Sequence, residues 1–138
     1  RGIRENHAVI GGEGSGGVMY PAVHNGRDSL TAAALALQLM ARTGKTVSGL
    51  VADYPGYIIL KDKITMDLVK AKSRLEEIAA LDHGGEVDTR DGVKIIRPGA
   101  WLHLRCSNTE PIVRIIAEAE GIGETQRLIA EGKRLLGL

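Results

Sequence analysis

Residues 100–116 read Ala100-Trp101-Leu102-His103-Leu104-Arg105-Cys106-Ser107-Asn108-Thr109-Glu110-Pro111-Ile112-Val113-Arg114-Ile115-Ile116. Apolar and polar side chains alternate through Leu104, the middle is short and polar, and β-branched residues resume at Ile112. This is the pattern of two strands joined by a loop. Within ten positions the stretch collects the guanidiniums of Arg105 and Arg114, the hydroxyls of Ser107 and Thr109, and the amide of Asn108. Arginine forks match phosphate oxygens bidentately and the short polar side chains add donors, so an anionic oxygen cluster such as phosphate is the natural guest. The same residues also describe an ordinary turn with surface arginines, and composition alone leaves both readings open.

Working outward, the flanking sequence supplies a consistent set of partners for these two strands. A strand is expected over 57–65, a helix over 67–80 with Leu68, Ala71, Leu75 and Ile78 on one face, and a hairpin strand ending near Thr89. Asp91-Gly92 favours a tight turn, Val93-Lys94-Ile95-Ile96 returns, and 112–119 follows the polar loop. A last helix over 123–136 carries Leu128, Ile129, Gly132, Leu135 and Leu136 on one face. Two amphipathic helices beside a mainly antiparallel sheet make an α+β domain.

Residues 1–43 read differently. Ala8-Val9-Ile10 is a short strand candidate running into Gly11-Gly12-Glu13-Gly14-Ser15-Gly16-Gly17, and Val18 to Pro21 stays extended because Tyr20 precedes a proline. Asp28 or Ser29 caps a helix to Thr43, stopped by Gly44. That helix is apolar on several sides, which calls for several neighbours. One strand and one such helix cannot cover each other, so this piece is expected to be the end of an α/β domain whose remainder lies upstream. The boundary belongs in 44–55, where Gly44, Gly49 and Pro55 cluster; the division is placed as 1–45 and 46–138.

Bulk properties narrow the function classes. With 138 residues, 43% hydrophobic and 25% charged, the chain has the composition of an ordinary globular protein. Lys plus Arg (18) nearly cancels Asp plus Glu (17), giving +1, and aromatics are 3% with no Phe. Neither the charge footprint nor the stacking surfaces of a nucleic-acid binder are present, so no nucleic-acid partner is expected. No run approaches the ~18 apolar residues of a membrane span, so no membrane partner is expected either. A single cysteine, Cys106, fits a reducing compartment and a packed role, and the expected location is cytoplasmic. The opening run 1–6 has neither an initiator Met nor an apolar signal core, which reads as the interior of something longer.

The glycine loop formally contains Gly12-x-Gly14-x-x-Gly17, yet a dinucleotide loop must open a helix at once, and Val18 to Pro21 is extended. Glu13 and Ser15 are its only ligand-binding side chains. A carboxylate accepts from adjacent hydroxyls and flanking glycines let a flat polyol approach, so a sugar is one sensible guest and an incidental flexible loop is the other reading. His7, His24, His83 and His103 show no metal spacing. His103 alternates with Trp101 and Arg105 on one strand face and is expected to border the phosphate loop without chemistry of its own.

Taken as a pair, 11–16 and 105–111 resemble the motifs of the α-D-phosphohexomutase family, the phosphoglucomutases, phosphomannomutases and phosphoglucosamine mutases. The resemblance covers the last quarter or so of the family's four-domain chain, the end of the third domain and the whole fourth. It implies an α/β third domain and a fourth domain with an antiparallel sheet and two helices, similar to the TATA-box-binding fold. It also implies that Glu13 and Ser15 bind sugar hydroxyls, and that Arg105, Ser107, Asn108, Thr109 and Arg114 hold the non-reacting phosphate of a phosphorylated hexose. The implied parent enzyme is a Mg²⁺-dependent mutase, the metal being bound by upstream domains outside this chain.

Departures from the family pattern matter as much. The glycine loop ends Ser15-Gly16-Gly17 where Ser-Gly-His is common, and Gly14 offers no side chain for telling sugars apart. The glycine-rich form, with Tyr20-Pro21 and Gly26-Arg27-Asp28, looks like the branch assigned to phosphoglucosamine or phosphomannose. The family's phosphoserine loop and its Asp-Gly-Asp-Gly-Asp metal loop have no counterpart, so no catalytic residue and no metal ligand is expected in this chain. A phosphosugar-binding module that stands alone, without catalysis, is the other function consistent with this set.

Overall fold

The computed structural model describes residues 2–12 and 16–138 and divides them into two units, Arg1–Tyr54 and Pro55–Leu138. In the first unit a short helix α1 (Gly2–Glu5) leads to a two-stranded antiparallel ribbon of β1 (Gly11–Gly12) and β2 (Val18–Met19). The strand expected at Ala8-Val9-Ile10 is not one. His7 takes a left-handed conformation (φ 48°) and the Ala8 N–H donates to Ile3 O at 2.9 Å, so these groups close a helix C-terminus instead of opening a ladder. Val9 and Ile10 are 74% and 51% exposed, and the pairing starts at Gly11.

Helix α2 (Ser29–Thr43) follows its local signals. The Asp28 carboxylate accepts from the N–H groups of Leu30 (2.9 Å) and Thr31 (3.1 Å), and Gly44 ends the helix at φ 67°. None of its residues is buried, and Leu30 and Leu37 are 81% and 64% exposed, so its apolar surface stays uncovered among the described residues. A helix α3 (Val47–Val51), not expected from the sequence, then forms with the Thr46 hydroxyl accepting from Gly49 N at 3.2 Å. The Lys45–Asp53 ion pair closes this segment on itself. Residues 46–54 therefore remain with the first unit, and the division falls at Tyr54/Pro55, later than 45/46 though within 44–55.

The second unit holds β3 (Tyr57–Thr65), α4 (Leu68–Ala79), β4 (Glu86–Asp88), β5 (Val93–Arg97), β6 (Ala100–Cys106), β7 (Ile112–Glu120) and α5 (Ile122–Leu135). Its five-stranded sheet is antiparallel throughout, in the order β3-β7-β6-β5-β4. The β4-to-β7 run is a meander, and β3 joins the far side of β7, which places the expected strand pair of residues 100–116 at the sheet's centre. The α+β architecture expected from the hydrophobic periods, one antiparallel sheet with two helices on it, is the one observed.

Strand alternation sorts the side chains into two faces. Val93, Ile95, Leu102, Leu104, Val113, Ile115, Ala117 and Ala119 are all at most 2% exposed and meet Ala71, Leu75, Ile78 and Leu128 from the helices. Helix α5 lies close because Gly132 has no side chain: a Cβ there would stand 2.8 Å from Ile115 Cγ2 and 3.1 Å from Leu104 Cδ2. A bidentate pair, Arg97 Nη1 and Nη2 to Glu131 at 2.9 and 2.7 Å, ties β5 to α5, while Arg97 Nε donates to His83 O. The opposite face carries Trp101, His103, Arg105, Arg114, Lys63 and Lys94, turned away from α4 and α5.

Candidate functional site

Arg105 is the last residue but one of β6 and Arg114 the third of β7, and the two are direct register partners. Between them the chain turns tightly: Ser107 N donates to Ile112 O at 2.9 Å and Ile112 N to Glu110 O at 2.8 Å. Pro111 O accepts from Met66 N at 3.0 Å, anchoring the loop to the end of β3. Ser107 is 5% exposed, and its hydroxyl accepts from Thr109 N at 3.4 Å and lies 3.5 Å from Thr109 Oγ1. Asn108, Thr109 and Glu110 are exposed. Among the described residues, the backbone N–H groups of Asn108 and Glu110, the Asn108 amide and the Arg114 guanidinium carry no hydrogen bond or ion pair.

Directly opposed residues of an antiparallel pair share a face of the sheet, their Cβ atoms ~4.5–5.5 Å apart, and like charges so placed repel. Arg105 and Arg114 are such a pair, so folding brings two cations together beside a loop of unused donors. One local counter-charge is present: Arg105 Nη1 bonds Asp91 Oδ2 at 2.8 Å. Asp91 is held there from two further sides. Its carbonyl lies 2.6 Å from His103 Nε2, and Gly92, at φ 80°, packs so tightly on the Leu104 carbonyl and Arg105 backbone that a Cβ would overlap them. A carbonyl only accepts, so His103 carries its proton on Nε2 in this contact.

The structure therefore gathers Arg105, Ser107, Asn108, Thr109 and Arg114 at one end of the sheet. Glu13 and Ser15 lie outside the described residues; of their flanks, Gly12 and Val18 are register partners in the β1–β2 ribbon. His103 sits on the face of Trp101 and Arg105, as its alternation implied, and serves as an anchor for the Asp91 turn. Trp101 donates from Nε1 to Glu118 at 2.8 Å with the Lys94 ammonium 4.3 Å over its ring. Burial pushes the Cys106 thiol up, with the Lys72 charge pulling it partly back, and its side chain packs against the core. That suits packing and opposes a nucleophilic role. Asp91 escaped the sequence reading because it looked like an ordinary hairpin residue; its place beside Arg105 depends on the β5–β6 register.

Among the described residues no group of three His, Cys, Asp or Glu side chains is placed to hold a metal ion, and no helix is long and apolar enough to cross a membrane.

Residues 60–133 match the sequence profile of the phosphoglucomutase/phosphomannomutase C-terminal domain, and residues 1–57 that of phosphoglucomutase/phosphomannomutase alpha/beta/alpha domain III. The chain belongs to the phosphoglucomutase/phosphomannomutase family. It is 36% identical over 138 residues to a phosphoglucomutase/phosphomannomutase of Thermococcus kodakarensis, covering 99% of this chain and 30% of that protein. A phosphoglucosamine/phosphogalactosamine mutase of Sulfurisphaera tokodaii is 31% identical over 97% of this chain and 30% of its own length. The crystal structure of a phosphoglucomutase/phosphomannomutase family protein from Burkholderia thailandensis superposes with a TM-score of 0.75 at 29% identity, over 98% of this chain and 29% of that one. The chain thus spans about 30% of the length of its curated family relatives.

Proposed function

We propose that this chain is the substrate-binding C-terminal part of a phosphohexomutase, an enzyme that interconverts hexose 6-phosphate and hexose 1-phosphate through a bisphosphorylated hexose. The carrying observation is the opposed pair Arg105 and Arg114 flanking a loop whose Asn108 and Glu110 N–H groups are unused. Two guanidiniums and several neutral donors on one edge form a receptor for a phosphate dianion.

Arg105, Ser107, Asn108, Thr109 and Arg114 would hold the phosphate that does not react, and Glu13 and Ser15 would read the sugar hydroxyls. Either end of a phosphosugar must meet the same reaction centre in turn. A clamp that grips only phosphate accepts either phosphorylated end and lets the ring reverse. Binding energy from the inert phosphate also aligns the reacting end, which lowers the entropy cost of transfer. The phosphoryl-donating serine and the Mg²⁺ that offsets the charge of transfer would come from upstream domains of the same enzyme. The names of the relatives and the glycine-rich sugar loop favour phosphoglucosamine, phosphomannose or phosphoglucose as substrate, in a cytoplasmic setting.

The test has two arms. In the full-length enzyme, Arg105→Ala should weaken phosphosugar binding by ~2 kcal/mol or more, the scale of a lost charge-assisted hydrogen bond with a partner left unmatched. Unchanged affinity and turnover would make the loop structural. The 138 residues alone should show no turnover in a coupled mutase assay with a bisphosphate activator; robust turnover would refute the division of labour.

A further inference from the structure

The geometry points to Lys63 as a third cation of the phosphate clamp, a residue of β3 that binds the same phosphate as Arg105 and Arg114. Arg114 has a register partner on each side: Arg105 on β6 and Lys63 on β3. Opposed residues share a face, so Lys63, Arg114 and Arg105 form one row across three adjacent strands, on the face turned away from α4 and α5.

A row of three like charges is an arrangement that a sheet without a ligand would avoid, because each opposed like pair destabilises it. The neighbouring acids do not neutralise it. Asp91 meets Arg105 alone. Asp62, next to Lys63 in sequence, is opposite the buried Ile115 on the helix-bearing side, where its carboxylate meets the Lys133 ammonium at 2.7 Å and accepts the backbone N–H of Lys63 at 2.8 Å. Lys63 is exposed, and among the described residues its ammonium carries no ion pair or hydrogen bond. The row also runs beside the loop itself, since Thr65, two residues on, pairs with Ile112, and Met66 N holds Pro111 O.

Lys63 is suited to a role that the arginines do not fill. A guanidinium fork fixes the plane of the oxygens it holds, whereas an ammonium on a flexible stem is a point charge that follows a phosphate through different poses. A clamp that must accept the phosphate of either positional isomer gains from one such adaptable cation.

This inference rests on the proposed phosphate clamp, and its test separates the two. The 138-residue chain is titrated with inorganic phosphate near pH 8 at low ionic strength, followed by backbone amide NMR shifts, for the unsubstituted chain and for Lys63→Gln, Lys63→Arg, Arg105→Ala and Lys70→Gln. Lys70 lies on α4 in the helix layer and controls for net charge. Lys63→Gln is expected to weaken phosphate binding about threefold to tenfold and to flatten its salt dependence, with Lys63→Arg restoring most of the affinity and Lys70→Gln near unchanged. Unchanged affinity in Lys63→Gln, with a clear loss in Arg105→Ala, would overturn the role of Lys63 and leave the clamp standing. Equal losses in Lys63→Gln and Lys70→Gln would reduce Lys63 to a bulk charge effect and overturn it as well. No phosphate binding by the unsubstituted chain, or no loss in Arg105→Ala, would overturn the clamp and Lys63 together.

Discussion

Replacing Gly132 by alanine tests the packing of α5 on the sheet that carries the clamp. In a helix exposed to solvent this change stabilises by about 1 kcal/mol, because glycine loses more backbone freedom on folding. Here the added Cβ would stand 2.8 Å from Ile115 Cγ2, 3.1 Å from Leu104 Cδ2 and 3.2 Å from Leu102 Cδ1. All three side chains are 0% exposed and lie on the two central strands, so none has free space to move into. Overpacking of this kind costs about 1–3 kcal/mol. Subtracting the propensity gain leaves a net loss of about 0–2 kcal/mol for Gly132→Ala. Gly123, in the first turn of the same helix, has nothing within 4 Å of its virtual Cβ, so Gly123→Ala should be neutral or slightly stabilising. Urea unfolding followed by the fluorescence of Trp101, the one tryptophan and a residue of β6, reports on this unit. Equal stability changes of the same sign in the two variants would refute the close approach of α5 to β6 and β7.

Other consequences follow from the same packing and electrostatics. The Arg97 guanidinium beside Glu131 holds its carboxyl below the usual 4.5, so the folded form binds that proton less readily than the unfolded one. The stabilisation is therefore complete above about pH 4.5 and fades as pH falls through the lowered folded value; Glu131→Gln should remove part of this acid sensitivity in thermal melts at pH 3 to 7. At neutral pH the same variant should cost about 1–3 kcal/mol, since it replaces a half-buried bidentate charged pair. Cys106 should react with a disulfide reagent near pH 7.5 more slowly than a small free thiol and accelerate on unfolding in urea, because burial raises its pKa; reaction at the rate of a free thiol in the folded chain would contradict its packed position.

The elements that were legible in the sequence are those whose causes lie within a few residues. Helix α2 starts at the carboxylate of Asp28 and stops at a left-handed Gly44, and both signals act on backbone groups one turn away. The alternation of β6 and β7 separates the buried Leu102, Leu104, Val113 and Ile115 from Trp101, His103, Arg105 and Arg114 without any knowledge of neighbours. Where local reading failed, the deciding contacts were short-range backbone hydrogen bonds that the types of side chain do not announce. The apolar triplet Ala8-Val9-Ile10 has strand chemistry, yet the turn at His7 commits Ala8 N to Ile3 O. Helix α3 is too short to show a period, and its Thr46 cap lies in a stretch marked by glycines.

The sequence by itself determined the two-strand frame of residues 100–116, the polar loop with Arg105, Ser107, Asn108, Thr109 and Arg114, and the α+β character of what surrounds it. Each of these depends on local periodicity, turn chemistry or the types of side chain present. The tertiary structure alone decided that Lys63 and Arg105 flank Arg114, and that Asp91 reaches Arg105. Lys63 and Arg105 stand 42 positions apart in the chain (105 minus 63), and only the order β3-β7-β6 sets them on either side of Arg114. Strand order and register are chosen by burial of the whole opposite face against α4 and α5, because a slip of one residue would turn every apolar side chain outward. The cationic row is thus fixed by the core behind it.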